Sequence, residues 1–135
     1  MVRLGITGGY GFLGWHIRAY VHSDKEMEAL PAGREVFADP QALATFVGGK
    51  DAIVHLAGMN RGDENEIEST NIALTRNLIE ACERGQLRPH IVFANSTHSD
   101  RDTAYGRSKR QSVEMLTEWA ARAGARFTNL VIPGV

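Results

Sequence analysis

"VRLGITGGYGFLGWHIRAYV", residues 2–21, is the stretch on which the fold turns. It opens with a short apolar run, "VRLGIT", which meets glycines and then the helical pattern "FLGWHIRAYV". A strand therefore feeds a helix through a tight turn, the first half of a β-α unit. Further along, "MEAL" is a candidate strand between Ser23 and Glu35, with Pro31 and Gly33 forming a turn after it. Asp39 followed by Pro40 predicts a helix through Val47, with a carboxylate as N-cap and proline at the first helical position, and "GGK" stops it. "DAIVHLAG" (51–58) reads as a strand whose unbroken apolar run suits a parallel sheet covered on both faces. Helical periodicity returns over 65–84, where Ile67, Leu74, Leu78 and Ala81 share a face with Asn71 and Gly85 acts as the stop. "HIVFAN" (90–95) is a fourth strand, 104–123 a long helix ended by Gly124, and "RFTNLVI" (126–132) a last strand. Such alternation predicts a single α/β domain over 1–135 built on a doubly wound parallel sheet, with ligands at the carboxyl ends of its strands.

The turn "TGGYGFLG" places Gly8, Gly11 and Gly14 in the spacing GxxGxxG. A pyrophosphate can approach backbone only where no Cβ intervenes, and a helix N-terminus offers it free N–H groups and the positive end of a dipole. The three glycines would serve turn, approach and packing. A glycine-rich turn that binds nothing has the same spacing, but the strand before and the helix after favour a dinucleotide. The acidic residue that holds the ribose hydroxyls of NAD, expected about twenty residues beyond the glycines, has no well-placed counterpart. Arg34 stands there instead, and its guanidinium can pair with the 2′-phosphate of NADP or be a solvated surface arginine. NADP is therefore the expected cofactor, otherwise NAD.

"NSTHSDRDTAYGRSK" (95–109) gathers hydroxyls and a lysine around the start of the long helix. Tyr105 and Lys109 stand four apart, on the side that also carries Val113, Leu116 and Ala120. A lysine continuing an apolar stripe needs partners for its ammonium or a wet cavity. If the helix start faces a bound nicotinamide, Lys109 can bond the ribose hydroxyls and its charge lowers the pKa of Tyr105, making the phenol a proton donor or acceptor near neutral pH. Alternatively Lys109 snorkels to water and Tyr105 packs by its ring. Ser96 directly follows a strand, where its hydroxyl can bond a substrate oxygen or merely organise the turn. Thr97 and His98 are weaker candidates in the same loop.

Taken together, "TGGYGFLG", "DAIVHLAG", the serine after "IVFAN" and "YGRSK" resemble the extended short-chain dehydrogenases/reductases of the NAD-dependent epimerase/dehydratase family, which act on nucleotide-linked sugars. The resemblance implies a Rossmann-like fold. It also implies that Phe12 and Leu13 give backbone N–H groups to the pyrophosphate, that Leu56, Ala57 and Gly58 pass beside the cofactor, and that Asn71 approaches it from its helix. The ligand or a neighbouring backbone group would satisfy Asn71 on its apolar face. "HLAGMNR" (55–61) and the short spacing from Ser96 to Tyr105 are similar to the reductase domain of capsular polysaccharide synthesis enzymes. That likeness implies NADPH reduction of a UDP-linked 4-keto-6-deoxy amino sugar, with Ser96 and Tyr105 as site hydroxyls and Lys109 as the tuning cation. The family continues into a C-terminal substrate domain that is absent after "NLVIPGV", so the chain is expected to be either the cofactor part of a longer protein or a protein that has lost the part that grips substrate.

The alternatives are a dinucleotide-binding sensor or scaffold without turnover, an inactive fragment, and an interaction module. For the last, Ser112, Met115, Trp119 and Arg122 form a second stripe on the long helix that could pack against a symmetry mate, unless Trp119 packs in the core. The resemblance itself implies a homodimer through the 65–84 and 104–123 helices. The bulk numbers fit a soluble domain of 135 residues: 43% hydrophobic, 23% charged, formal charge -1. With no basic excess, nucleic acid is not expected as a partner. The single cysteine, Cys82, has no internal disulfide partner and reads as a small buried hydrophobe in a cytoplasmic protein. No metal site, export signal or membrane span is expected.

Overall fold

The computed structural model describes residues 1–133, and His98 by its backbone alone. Among the described residues five strands and five α-helices follow in the order β1 (Val2–Thr7), α1 (Phe12–His22), β2 (Met27–Ala32), α2 (Arg34–Ala38), α3 (Pro40–Val47), β3 (Ala52–His55), α4 (Glu64–Arg84), β4 (His90–Ser96), α5 (Ala104–Ala123) and β5 (Phe127–Ile132), with a 3-10 turn at Thr97–Asp100. All neighbouring strands pair in parallel, in the order β2-β1-β3-β4-β5. From β1 the chain turns outward to β2 and then crosses back to β3 on the other side of β1. The order thus reverses at β1, and the crevice beyond the carboxyl ends of β1 and β3 is where this topology places ligands. The expected Rossmann-like doubly wound sheet is what the chain forms.

The two faces of the sheet are unequally covered. On one, Ile53, Ile91 and Phe93 pack with Phe46 and Val47 of α3, Leu78 and Cys82 of α4, and Leu116 and Trp119 of α5. On the other, Leu4 and Ile6 meet Val21 and Ile17 of α1, joined by Val54 and Leu56. Each fully buried aliphatic or aromatic side chain contributes roughly 1.5–3 kcal/mol over leaving it in water. Burial also pushes the Cys82 thiol up to about 12, so it stays an inert apolar filler.

Several expectations need correction. Pro31 lies inside β2, in register with Ile6, rather than in a turn; β2 is an edge strand, so its missing N–H breaks no ladder. The strand "DAIVHLAG" ends at His55, and residues 56–58 leave the ladder to follow the crevice. The short helix α2, opened by Arg34 behind Gly33, was not anticipated. Gly85 caps α4 with φ -85°, while the left-handed conformation falls on Gln86 at φ 53°. The stripe Ser112–Met115–Trp119–Arg122 is no outer surface but the seam between α5 and α4. Trp119 is wholly buried, Ser112 meets Thr75 at 2.9 Å, and Arg122 donates to Glu83 at 3.2 Å. A large ring on a helix is read as surface or core only by what packs on it, which the helix's own sequence does not carry.

Candidate functional site

The turn after β1 is built from glycines with distinct physical duties. Gly8 adopts φ +66°, and a Cβ there would lie 3.0 Å from the Ala57 nitrogen, so the turn needs both its conformation and its bareness. Gly14, in the first turn of α1, would put a Cβ 2.6 Å from the Gly9 Cα, which makes it the close-packing glycine. Gly11 differs: its Cβ would meet only the Gly8 carbonyl oxygen at 3.4 Å, and otherwise open space. Gly11 is also the N-cap of α1, which has no capping side chain and no acid in its first turn. Helices α3, α4 and α5 by contrast are capped by Asp39, Asp63 and Thr103. The backbone at Phe12 and Leu13 thus begins a helix whose positive end is bare and approachable, the arrangement that suits an anion. Gly9, which sequence reading passed over, packs on Pro31: a Cβ there would come within 2.5 Å of that ring. The doubled glycine in "TGGYG" was its signal.

Two cavities meet over this turn, sharing Gly8, Gly58 and Met59. One of about 580 Å³ is lined by Arg34, Phe37, Ala57 and Leu74, apolar except where Arg34 and a few polar groups reach it. The other, of about 400 Å³, brings Gly11, Phe12, Leu13, Gly14 and Leu56 together with Ser96, Tyr105 and Lys109. One trench therefore collects all the residues expected beside a dinucleotide, with the exception of Asn71.

Asn71 is buried but turned to the protein. Its Oδ1 accepts from the Met59 amide at 2.6 Å, and its Nδ2 donates to the Met59 carbonyl at 2.9 Å and to Ser108 Oγ at 3.1 Å. It satisfies itself on backbone and pins the loop after β3 to α4 and α5, rather than approaching the trench.

Ser96 ends β4, buried, with its amide donating to Asn95 Oδ1 at 2.8 Å. Thr103 caps α5 by accepting from the Gly106 amide, which sets Tyr105 in the first helical turn and Lys109 one turn on. Lys109 is 8% exposed. Its Nζ donates to the Ala94 carbonyl at 2.9 Å and lies over the rings of Phe93 and Tyr105, 4.8 Å and 5.3 Å from their centroids. These are the partners that a lysine on an apolar stripe requires. Burial pushes its pKa down to about 8. The expected lowering of the Tyr105 pKa is not found: burial raises it. The ammonium is drawn to the Ala94 carbonyl and over the ring face, and the half-buried phenol loses hydration. Tyr105 thus holds its proton at neutral pH. Thr97 is exposed, and the side chain of His98 lies outside the described residues. Among the described residues no three metal-ligating side chains gather, and no helix is long and apolar enough to cross a membrane.

The chain matches the NAD dependent epimerase/dehydratase family over residues 4–135. It is 31% identical over 116 residues to the UDP-2-acetamido-2,6-beta-L-arabino-hexul-4-ose reductase of Pseudomonas aeruginosa, covering 85% of this chain and 31% of that protein. Among solved structures it resembles UDP-N-acetylglucosamine 4-epimerase from Bacillus cereus, with a TM-score of 0.82 at 22% identity over 97% of this chain and 60% of the other. A uronate dehydrogenase mutant from Agrobacterium tumefaciens, solved with NAD, superposes with a TM-score of 0.72 at 26% identity, over 94% of this chain and 59% of its own. The chain thus spans about a third of the curated reductase it matches. A bare-ended helix behind a left-handed glycine, at the reversal point of a parallel sheet, agrees with that match: the chain belongs to the NAD dependent epimerase/dehydratase family.

Proposed function

We propose that this chain is the dinucleotide-binding part of a nucleotide-sugar oxidoreductase, and that the whole protein reduces a UDP-linked 4-keto-6-deoxy sugar with NADPH. The observation that carries this reading is the meeting of the glycine turn with Ser96, Tyr105 and Lys109 in one cavity. The residues fit a dinucleotide on their own terms, because Gly11 leaves open the approach that a Cβ would narrow and the helix behind it is uncapped. Gly8, Gly11, Phe12, Leu13 and Gly14 would hold the pyrophosphate. Leu56, Ala57 and Gly58 would flank the cofactor, and Arg34, at the far end of the trench, would meet a 2′-phosphate. A bound nicotinamide supplies the hydride.

The chain's own residues handle the proton. Reduction of a ketone develops negative charge on its oxygen, and a protonated phenol is the group that can neutralise it. Tyr105 fits that direction of reaction because its half-buried phenol is protonated at neutral pH and so has a proton to give. The Ser96 hydroxyl would hold the same oxygen in place. Lys109, still cationic at neutral pH but readily deprotonated, would stabilise the tyrosinate left behind. Binding of the sugar and nucleotide falls to a region beyond this part of the protein, and dimerisation would use the outer faces of α4 and α5, since the stripe containing Trp119 is buried. The similarity to the Pseudomonas reductase supports the choice of a keto-sugar.

The test is Tyr105→Phe in the complete protein, with NADPH oxidation followed on keto-sugar and cofactor binding followed by calorimetry. Turnover should disappear while dinucleotide binding survives. A mutant that turns over at the wild-type rate removes Tyr105 from the chemistry.

A further inference from the structure

A chain of buried hydroxyls and one imidazole runs through the protein beneath the trench. Thr7, the last residue of β1, has its Oγ1 2.7 Å from His55 Nδ1. On the other side of the ring, His55 Nε2 lies 3.2 Å from Thr75 Oγ1, which lies 2.9 Å from Ser112 Oγ on α5. All four side chains are 2% exposed or less, so no water competes for these bonds. The direction of each proton follows from counting. Thr7 Oγ1 accepts from the amides of Leu56 at 3.0 Å and Ala57 at 3.1 Å, which occupies both of its lone pairs. Its own hydrogen must therefore go to His55 Nδ1, which cannot carry a proton. The ring proton sits on Nε2 and is donated to Thr75, whose hydroxyl shares the next bond with Ser112. Both donations fixed by this count, Thr7 to His55 and His55 to Thr75, point away from the glycine-turn strand.

We propose that His55 is a positioning residue, whose neutral, Nε2-protonated ring holds Thr7 as acceptor of the Leu56 and Ala57 amides and so fixes the wall of the trench against which a dinucleotide lies. The proposal rests on the reading of that trench as the dinucleotide site. Its geometric basis is that Leu56 and Ala57 have just left the β-ladder, and Ala57 packs directly on the left-handed Gly8. With the Thr7 hydroxyl turned away, the segment would keep only the 3.2 Å bond from the Leu56 amide to the Thr7 carbonyl. The surroundings keep the ring neutral. The rings of Phe37 on α2 and Phe93 on β4 flank it with centroids at 6.3 Å and 5.8 Å. Thr75 and Ser112 offer no charge, and Lys109 on α5 repels a second cation. Protonation of Nδ1 would place two donors on the sides of one bond that has no acceptor left.

Two measurements on the 135-residue chain test this. Long-range proton–nitrogen spectra of histidine-labelled protein should show His55 protonated at Nε2 alone, unchanged from about pH 5 to 8, across the range where an ordinary histidine titrates. A ring protonated at Nδ1, or one that gains a second proton in that range, overturns the proposal. The second is calorimetric titration with NADPH of wild type, His55→Leu and His55→Asn. The asparagine amide oxygen can take the place of Nδ1 as the acceptor for Thr7, whereas leucine cannot. His55→Leu should bind about tenfold more weakly and His55→Asn within about threefold of wild type. Equal losses in both, or a folded leucine variant that binds like wild type, sinks the positioning role. If His55→Leu does not fold, Thr7→Val against Thr7→Ser gives the same contrast, with only the serine retaining affinity. Failure of wild type to bind either NADPH or NADH would instead refute the dinucleotide reading, and the ring's protonation would still decide the network.

Discussion

Substituting alanine at Gly11 and, separately, at Gly14 should separate ligand approach from packing within one turn. Gly11 has φ -79° and ψ -177°, a conformation any residue adopts, and its added methyl would touch only the Gly8 carbonyl oxygen at 3.4 Å. Loss of the preferred N-cap glycine should therefore cost about 1 kcal/mol or less. The same methyl stands in the path of an anion seated on the α1 N-terminus. Lengthening one or two charge-assisted bonds from backbone N–H groups, each contributing about 1.5–3 kcal/mol, should weaken dinucleotide binding by roughly ten- to a hundredfold. Gly14 is the reverse case. Its methyl would lie 2.6 Å from the Gly9 Cα and 2.7 Å from the Gly8 carbonyl oxygen, both backbone atoms that cannot swing aside. Overpacking of that kind costs about 1–3 kcal/mol and distorts the turn that holds Gly8 at positive φ. Urea denaturation followed by circular dichroism gives the stabilities, and calorimetry with NADPH gives the affinities. Gly11→Ala should lower its midpoint only slightly and lose affinity, while Gly14→Ala should lower its midpoint more. A folded Gly11→Ala protein with wild-type affinity would refute the placement of the pyrophosphate.

Stability should depend on pH in a direction set by two buried bases. His55 is held down to about 3, so below its ordinary value of 6.5 the unfolded chain takes up a proton that the folded one refuses. Stability should fall by up to about 1.4 kcal/mol for each unit from pH 6.5 towards 3, and His55→Asn should flatten that part of a urea-midpoint profile. Lys109, lowered to about 8 from 10.5, acts in the same sense at higher pH, its contribution being full above 10.5 and lost as pH falls through 8. A wild-type profile flat in both windows contradicts these assignments. Trp119→Ala should destabilise the fold by about 3–5 kcal/mol without changing the oligomeric state in light scattering, because its ring lies inside the core. Loss of a dimer by a variant that stays fully folded would return Trp119 to an interface.

The features that sequence reading recovered are those written in consecutive residues. Asp39–Pro40 announces α3, Gly124 ends α5, and the glycine spacing marks a turn whose role depends only on backbone and Cβ. What escaped it depends on neighbours distant in the chain. Pro31 is compatible with a strand only because β2 is at the edge, which follows from the sheet order and not from "MEALPA". Asn71 reads as satisfied by a cofactor or by a neighbouring backbone group, and only the fold shows that the Met59 backbone and Ser108 take it. For Tyr105 the spacing to Lys109 suggested charge stabilisation, but the Ala94 carbonyl, fifteen residues away in sequence, captures the ammonium and leaves burial to set the phenol. The run Thr7–His55–Thr75–Ser112 draws one residue from each of four elements, so no local motif announces it.

Dinucleotide seating on the bare end of α1 is tested most directly by amide proton–nitrogen spectra of the labelled chain during titration with NADPH. The largest shifts should fall at Gly8, Gly11, Phe12 and Leu13, with a second group at Ala57 and Gly58 and a third at Tyr105 and Lys109; ADP, which lacks the nicotinamide-side ribose, should reproduce the first two groups and not the third. Spectra unchanged at saturating NADPH and NADH, or shifts confined to the outer side of α1 and β2, would contradict it.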